Sequence, residues 1–518
     1  MSAHGGAPTR GETIAALSVA IDLGLGQPAE HMLRAAILSC RIADRLGLPA
    51  ARRGGAYYST LLMWIGCTAD SQEYARWFGD DIAVRAASYT VDWAGLPFLR
   101  FLMAHVAEGL PPVTRAVTLA EMMTDARGNL SRMLHSHCLS ASLLAARLGL
   151  SDEVQCAIAT TFERYDGRGL PAGLSGDAIP IEMRIAQLAD VAEVHLRLGG
   201  AAGVAETVRA RRGGQFDPQV ADVLLADARS LLDLPHGADA WSAALDCAPD
   251  RDEVLHGDAL DAALAAIGDF VDLKCPFMLG HARGVAQVVD AGARAMGLTA
   301  EDSAVLRRAG YLHDIGRLGV SNLIWSKPGP LDDAEWERVR MHPYLGTRVL
   351  ARVPGLAAEA ALIGTHHEAL DGGGYPSGAH GAALGRSERL LAAAVAYQSG
   401  LEPRPYRAAL DPEQAMARIT RRVVAGELDA EAVAAVAAGA GIRRPRPATP
   451  AGLTPREAQI LTLVAQGRSN RQIAAALSLS EKTVRNHVEH TYAKIGVTNR
   501  VGAGMFAIDH GFAPGRAV

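Results

Sequence analysis

Cysteine is scarce and scattered in this chain: six among 518 residues, at positions 40, 67, 138, 156, 247 and 275, with no CxxC pair. That spacing excludes a dithiol motif, a zinc ribbon and a disulfide framework, and it fits reduced residues of a cytoplasmic protein. Aromatic residues make up only 5%. Alternating runs of Val, Ile, Tyr and Phe are rare, and Ala and Leu supply most of the apolar content, so an all-α fold is expected. No apolar run approaches the roughly 18 residues needed to cross a bilayer. Residues 1–10 lack the apolar stretch of a signal peptide. No membrane partner is therefore expected. The net charge of −5 neither demands nor forbids a nucleic-acid partner. The length fits about three domains at roughly 100–200 residues each.

What the chain does have is a ladder of metal-type ligands that occurs twice. One copy reads His281, His313-Asp314, His342 and His366-His367. In the other, His31 stands 32 residues before Met63 as His281 stands 32 before His313, and His137 stands 24 before Thr161 as His342 stands 24 before His366. Asp190 lies 29 after Thr161, and Val395 lies 29 after His366. At an offset of 250, His31, Ala43, Gly47, Leu48, Leu62, Ile65 and Gly66 match His281, Ala293, Gly297, Leu298, Leu312, Ile315 and Gly316. At an offset of 205, Glu163, Asp166, Gly167, Gly169, Pro171, Gly173 and Gly176 match Glu368, Asp371, Gly372, Gly374, Pro376, Gly378 and Gly381. The change of offset, 250 − 205, places 45 extra residues between Met63 and His137. That insertion carries Trp77, Phe78, Trp93, Phe98 and Phe101, read as extra core helices or as a partner surface. The duplication sets domains at 11–235 and 252–440, with a break expected at 234–251, where Pro, Gly and Asp interrupt the helical pattern.

His and Asp are ligands for divalent Fe, Mn, Ni or Zn. An Asp beside a His can bridge two ions while the His binds one, and His366 and His367, read as adjacent on a helix, could turn toward one ion. A two-metal site activates water and clamps a phosphate.

The C-terminal stretch is different in kind. Residues 453–518 carry eight Lys/Arg against four Asp/Glu, and residues 441–452 form a basic, Pro-rich linker that cannot be helical. Thr454 with Glu457 and Ser469 with Gln472 are capping boxes, Gly467 suits a helix end, and Ser480 caps a third helix. On that helix Val484, Val488 and Ile495 share the inward face. Lys482, Thr483, Arg485, Asn486 and Glu489 face outward, the layout of a recognition helix for the major groove.

The runs His313-Asp-Ile-Gly-Arg-Leu-Gly-Val320, His342-Pro-Tyr-Leu-Gly346 and His366-His-Glu-Ala-Leu-Asp-Gly-Gly-Gly-Tyr-Pro376 resemble the HD-GYP family of metal phosphodiesterases, and Arg404-Pro-Tyr-Arg407 fits the same pattern. The resemblance implies an all-α bundle and a substrate class of cyclic dinucleotides, chiefly cyclic di-GMP. It implies one or two ions of Fe, Mn, Ni or Zn held by His281, His313, Asp314, His342, His366 and His367. Asp314 and Arg317 would be catalytic, and Arg317, Gly374, Tyr375 and Pro376 would bind substrate.

Three departures stand out. Val395 and Gln398 replace the family's two closing Asp residues, Arg317 replaces its Lys, and Phe277 replaces the Glu of three-metal members. The first copy is more eroded: Met63-Trp64 stands for His-Asp, Thr161-Phe162 for His-His, and Gly169-Leu170-Pro171 for Gly-Tyr-Pro. Only His31, His137 and Asp190 remain there as ligands, so a structural or ligand-sensing role is expected.

Residues 453–518 resemble the LuxR/FixJ-type helix-turn-helix, through Leu453-Thr-Pro-Arg-Glu457, Gly467-Arg-Ser-Asn-Arg-Gln-Ile-Ala474, Ser480-Glu-Lys-Thr-Val-Arg-Asn-His-Val488 and Lys494-Ile-Gly-Val-Thr-Asn-Arg500. This implies a four-helix DNA-binding domain with Lys482, Thr483, Arg485, Asn486 and His487 on DNA. It also implies a fourth helix near 499–509 that pairs two copies on an inverted repeat. No receiver domain precedes it, so control by phosphoryl transfer is not expected. Three functional readings stay open: a DNA-binding regulator that senses or hydrolyses a phosphate ester or cyclic dinucleotide, an active cyclic di-GMP phosphodiesterase localised by its DNA-binding domain, and a catalytically dead scaffold.

Overall fold

The computed structural model describes residues 6–441 apart from 109 and 110, and toward the C-terminus residues 451, 453–465, 468–497, 499, 500, 503, 506 and 507. The described residues are all-α, with isolated bridges and no strand. Residues 1–442 and 443–518 form two compact units. The expected linker lies almost wholly outside the described residues, as do Gly467 and most of the expected fourth helix.

In the larger unit the duplication is visible element by element. Arg10–Gly24 corresponds to Gly257–Asp272, His31–Arg45 to His281–Ala295, and Ala50–Leu62 to Ala300–Leu312. The short turns Ile65–Thr68 and Ile315–Gly319 follow, and Ile181–Arg211 matches Arg386–Leu401. The helices that begin with His31 and His281 are each capped by a buried carboxylate at the same relative place. Asp22 accepts from the Met32 amide at 3.2 Å, and Asp272 accepts from the Ala282 amide at 3.0 Å. The backbone just before each helix is left-handed, at Glu30 (φ 81) and Gly280 (φ 84). Burial pushes both carboxyls up to about 8, so near neutral pH each is largely uncharged and caps its helix by hydrogen bonding.

The two bundles interlock. Helix Arg10–Gly24 of the first copy packs on the turn Ile315–Gly319 and on helix His342–Leu350 of the second, while Gly257–Asp272 packs on Ala126–Arg147 of the first. One apolar core runs from Ile14 to Ala437 through both copies. Ion pairs tie the seam at Arg147–Asp269 (2.5 Å) and Arg352–Glu30 (2.6 Å). The stretch expected as a break, 234–251, instead holds helix Ala238–Cys247 packed on His31–Arg45. Ala240 and Ala244, one turn apart, are fully buried there and supply the small apolar stripe that the Pro/Gly/Asp signal obscured.

The insertion builds helices Ser71–Phe78, Asp81–Ser88, Gly95–His105 and Pro112–Thr124 around its own small core of Tyr74, Phe78, Phe101, Leu102 and Met122. It docks on the second copy through Asp81. That fully buried carboxylate accepts from Ser321 Oγ (2.7 Å) and the Asn322 amide (2.8 Å), with Arg85 at 3.2 Å and Lys274 at 3.5 Å. The two guanidinium and ammonium charges hold its pKa low against the effect of burial.

The C-terminal unit packs helices Pro455–Ala465, Asn470–Leu477 and Glu481–Ile495 around Ile460, Leu461, Val464, Ile473, Val484 and Val488. The Thr454–Glu457 and Ser469–Gln472 capping boxes are formed. Ser480 caps the third helix, which ends at left-handed Gly496.

Two glycines let the copies' metal-ladder turns sit against the next ligand helix. A Cβ on Gly66 would lie 2.2 Å from the His137 carbonyl, and one on Gly316 would lie 2.0 Å from the His342 carbonyl. Both neighbours are backbone and cannot swing away. Gly316→Ala should therefore destabilise the chain by about 3 kcal/mol, the upper range for overpacking, read as a lowered thermal midpoint. Gly297→Ala provides a comparison, because that site has open space around it and costs only a left-handed φ of 66°.

Candidate functional site

The second copy gathers its ladder around one carboxylate. Helix Ala300–Leu312 ends at His313, and the following turn presents Asp314. His342 opens its own helix. His366 and His367 follow helix Ala357–Ile363 in a turn, not on a helix as expected. Gly364, the helix's C-terminal residue, leads into that turn, which brings the two imidazole centroids to 4.2 Å.

Asp314 faces two groups with its two oxygens. Oδ1 lies 3.4 Å from His342 Nε2 and 3.8 Å from His366 Nε2. Oδ2 lies 3.5 Å from His313 Nε2 and 3.7 Å from His281 Nε2. The sets His342/His366/His367 and His281/His313/Asp314 each bring their donor atoms within 4.8 Å of one another.

The tautomers are fixed by what the far nitrogens meet. His313, His342 and His366 place Nδ1 on the carbonyls of Gly310 (2.8 Å), Val339 (2.6 Å) and Ile363 (2.5 Å). A carbonyl only accepts, so each Nδ1 carries a proton and each Nε2 is turned toward the site. Yet His342 Nε2 and His366 Nε2 face each other at 3.1 Å, and His281 Nε2 and His313 Nε2 at 3.2 Å. Burial keeps His313 down at about 4 and holds His366 and His367 well below the usual imidazole range. Converging imidazole Nε2 atoms beside a carboxylate are the donor set that fits a divalent transition metal. Burial would raise Asp314, but the Arg317 guanidinium beside it holds it far below the ordinary range.

Arg317 donates to Asp314 Oδ2 at 3.0 Å, and its guanidinium lies 3.9 Å from the centroid of Trp325. Tyr375 stacks on His367 at 4.7 Å and 28°. Gly374 lets the loop pass so close that a Cβ would meet the Ala369 amide at 2.3 Å. Glu368 braces the loop by accepting from the Ser377 amide (2.8 Å) and Oγ (2.7 Å). Pro376 follows a cis bond and is exposed. Next to His366, His367, Gly374 and Tyr375 opens a cleft whose walls include Trp336, Val395, Arg418 and Arg422.

Three residues of this site were not singled out in the sequence. Glu402 accepts from His281 Nδ1 at 2.9 Å and from Gln398 Nε2 at 2.7 Å. In the first copy that task belongs to Glu193, on His31 Nδ1 at 2.6 Å. Glu193 corresponds to Gln398 at the offset of 205 (398 − 193), so the carboxylate has moved one helical turn along, where the spacing pattern could not reveal it. Arg418 and Arg422, four apart on helix Pro412–Val424, carried an i, i+4 signal without a motif around it.

The first copy uses the same ground differently. His31 bridges Asp190 (2.9 Å) and Glu193. Burial would lower it, but these two partners raise it to about 10, so it is an imidazolium and not a ligand. Trp64, where Asp314 stands in the second copy, donates its indole to Asp190 Oδ2 at 3.1 Å. His137 is occupied by Asp70 (3.2 Å) and the Met63 carbonyl (2.9 Å). Cys67 and Asp70 join it in a ligand-like cluster, but the Arg85 guanidinium already sits on Asp70 at 2.6 Å. Buried cations take the place an ion would need.

In the C-terminal unit Lys482, Arg485, Asn486 and Glu489 are exposed along Glu481–Ile495. Thr483 and His487 are half-buried, and Thr483 Oγ1 is engaged with Ser480 Oγ at 2.7 Å, which makes Thr483 part of the cap.

Residues 117–220 and 266–431 match the HD domain family, together more than half of the chain. The chain belongs to the HD-domain family. Residues 451–507 match the bacterial regulatory proteins of the LuxR family. The HD-domain chain is 30% identical over 411 residues to a 3'3'-cGAMP-specific phosphodiesterase 3 of Vibrio cholerae, covering 78% of this chain and 89% of that one. It is 35% identical over 131 residues to a cyclic di-GMP phosphodiesterase of Thermotoga maritima, 24% of this chain and 35% of that protein. A crystal structure of a cyclic GMP-AMP-specific phosphodiesterase of V. cholerae superposes with a TM-score of 0.59 at 25% identity, covering 85% of this chain and 99% of that one. No helix among the described residues is long and apolar enough to cross a membrane.

Because Glu402 holds the His281 ring through Nδ1, Glu402→Ala should weaken divalent-metal affinity by about 10–100-fold, measured by chelator competition. An unchanged affinity would remove His281 from the ligand set.

Proposed function

We propose that this HD-domain chain is a DNA-binding transcription regulator whose second HD copy holds a divalent metal and senses or slowly turns over a cyclic dinucleotide or related phosphate ester. The observation that carries the reading is the two pairs of facing imidazole Nε2 atoms around the two oxygens of Asp314, in one chain with a LuxR-type domain that exposes Lys482, Arg485 and Asn486. His342, His366, His367 and Asp314 would hold one ion, and His281 and His313 with Asp314 a second. A bound divalent ion there would supply Lewis acidity toward a phosphate and an activated water.

The chain's own residues set the rest. Arg317 neutralises Asp314 and adds a fixed positive charge at the site. Its guanidinium cannot deprotonate, so it serves electrostatically and not as an acid or base. Tyr375 holds the His367 ring and, with Trp336, offers aromatic faces to a base. Arg418 and Arg422 give the cleft a positive wall for phosphate. Val395 is apolar and buried, so the His281 side is one carboxylate short, and that shortage favours sensing over fast hydrolysis. The open cleft beside His367 favours a second reading, an active phosphodiesterase whose DNA-binding domain localises it.

One measurement separates these. Purified protein reconstituted with Fe, Mn, Ni or Zn should take up metal yet hydrolyse cyclic di-GMP or 3'3'-cGAMP far below about 1 per second, the low end of ordinary enzymes. Val395→Asp should raise metal content or rate. A fast wild-type rate would select the phosphodiesterase reading, and absence of metal uptake would leave a scaffold.

For DNA, a homodimer on an inverted-repeat operator is proposed, with Lys482, Arg485 and Asn486 in the major groove. Lys482→Ala should weaken binding and lower its salt dependence, as expected for a phosphate contact. Arg485→Ala or Asn486→Ala should relax sequence preference. A fluorescence titration at several salt concentrations reads both. A triple alanine variant that binds as tightly as the parent at every salt would exclude this helix as the reader.

A further inference from the structure

The eroded first copy has lost its ligands but not its cleft. Residues that replace metal chemistry now line a largely apolar pocket that opens to solvent. Four aromatic rings that border it, Trp64, Trp93, Phe98 and Phe162, are each only half-buried. Trp93 lies parallel to Phe98 (11°) and nearly so to Phe162 (23°), and Trp64 stands edge-on to Phe162 (74°). Such exposed ring faces suit a flat aromatic guest.

The polar wall is as informative. Arg164 is paired with Asp92 (2.5 Å) and Asp166 (3.2 Å). Arg211, also buried and on the same pocket, donates Nη1 to the Gln215 side-chain oxygen at 3.1 Å and makes no direct ion pair among the described residues; the Asp92 carboxylate that faces it is held by Arg164. Two buried guanidinium groups sharing the Asp92 carboxylate leave Arg211 under-compensated, and a hydrocarbon guest would leave it so. An anionic guest would relieve it, and a phosphate matches its fork.

The pocket also has a mechanical connection. Helix Asp81–Ser88 ends at the pocket wall, where Ser88 and Tyr89 line it and Tyr89 donates to Asp190 at 3.3 Å. At its other end Asp81 caps the second copy's helix Asn322–Trp325. Trp325 packs on Arg317 and, edge-on at 5.8 Å, on His342. A two-turn helix thus joins the first copy's pocket to the second copy's ligands.

We infer that the first copy is an effector site for a purine nucleotide, with the base against Trp64, Trp93 and Phe162 and the phosphate on Arg211, and that helix Asp81–Ser88 transmits occupancy to the second copy. This goes beyond the reading of the second copy and does not depend on catalysis there.

The test uses the full chain carrying Asp314→Asn and His366→Ala, so that the second copy's cleft is disabled. Tryptophan fluorescence is titrated with 5'-GMP, 5'-AMP and cyclic di-GMP, with guanosine as the phosphate-free control. At least one nucleotide should quench saturably, and guanosine should bind about tenfold or more weakly. Trp93→Ala and Arg211→Met in the same background should each weaken binding about tenfold or more. Absence of saturable binding by all three nucleotides overturns the site, as does binding by both variants equal to the parent. If either variant loses its helical circular-dichroism signal, hydrogen exchange on the unsubstituted first copy decides instead. Saturating nucleotide should slow exchange in residues 88–93 and alter it in 321–325. No change in 88–93 overturns the site, and a change there without one in 321–325 overturns the coupling.

Discussion

Burying a carboxylate among helices requires positive charge or a proton beside it, and each copy of this duplicated fold is organised around how that demand is met. A bare carboxylate in a low-dielectric interior costs several kcal/mol after relaxation. At Asp22 and Asp272 the demand is met by a proton and a helix N-terminus. At Asp190 it is met by the His31 imidazolium and the Trp64 indole. At Asp314 it is met in part by Arg317, while imidazole Nε2 atoms face one another in two pairs across the remaining space. The first arrangement is complete in protein alone. The last would be completed by a cation, which is why the metal reading attaches to one copy and not to the other.

The same principle joins the copies. Asp81, fully buried at the seam, is shared between Arg85 of its own helix and Lys274, Ser321 and Asn322 of the second copy. Removing one partner from such a buried pair leaves an uncompensated charge, at about 3–5 kcal/mol, so the insertion is bound firmly to the turn that follows the Asp314 ligand. The continuous core across both copies makes the pair one folding unit in which an eroded copy still has a structural task. That task explains how the first copy could lose its metal ligands while its helices stayed in place.

Much of this was legible along the chain. The helical periods, the capping boxes at Thr454 and Ser469, the duplication and the ladder around Asp314 all depend on residues close in sequence or on regular spacing, and those patterns act through the backbone that carries them. Other features were not legible. Glu402 takes the role of Glu193 from one turn farther on, His366 and His367 lie in a turn and not on a helix, and helix Ala238–Cys247 forms where a break was expected.

The sequence by itself determined an all-α duplicated chain, a ligand ladder kept in one copy except for Val395 at its closing position and eroded in the other, and a LuxR-type helix-turn-helix with its basic helix. Only the tertiary structure decided that Asp314 faces two imidazole pairs with separate oxygens, that His31 is spent on Asp190 and Glu193, and that Asp81 reaches across to Ser321. Apart from the one to the adjacent His313, these contacts join residues 28 to 241 positions apart, measured from Asp314 to His342 and from Asp81 to Asn322. No local pattern encodes such distances. They follow from how amphipathic helices close on a shared core, and from the need of each buried charge to find a partner wherever packing places one.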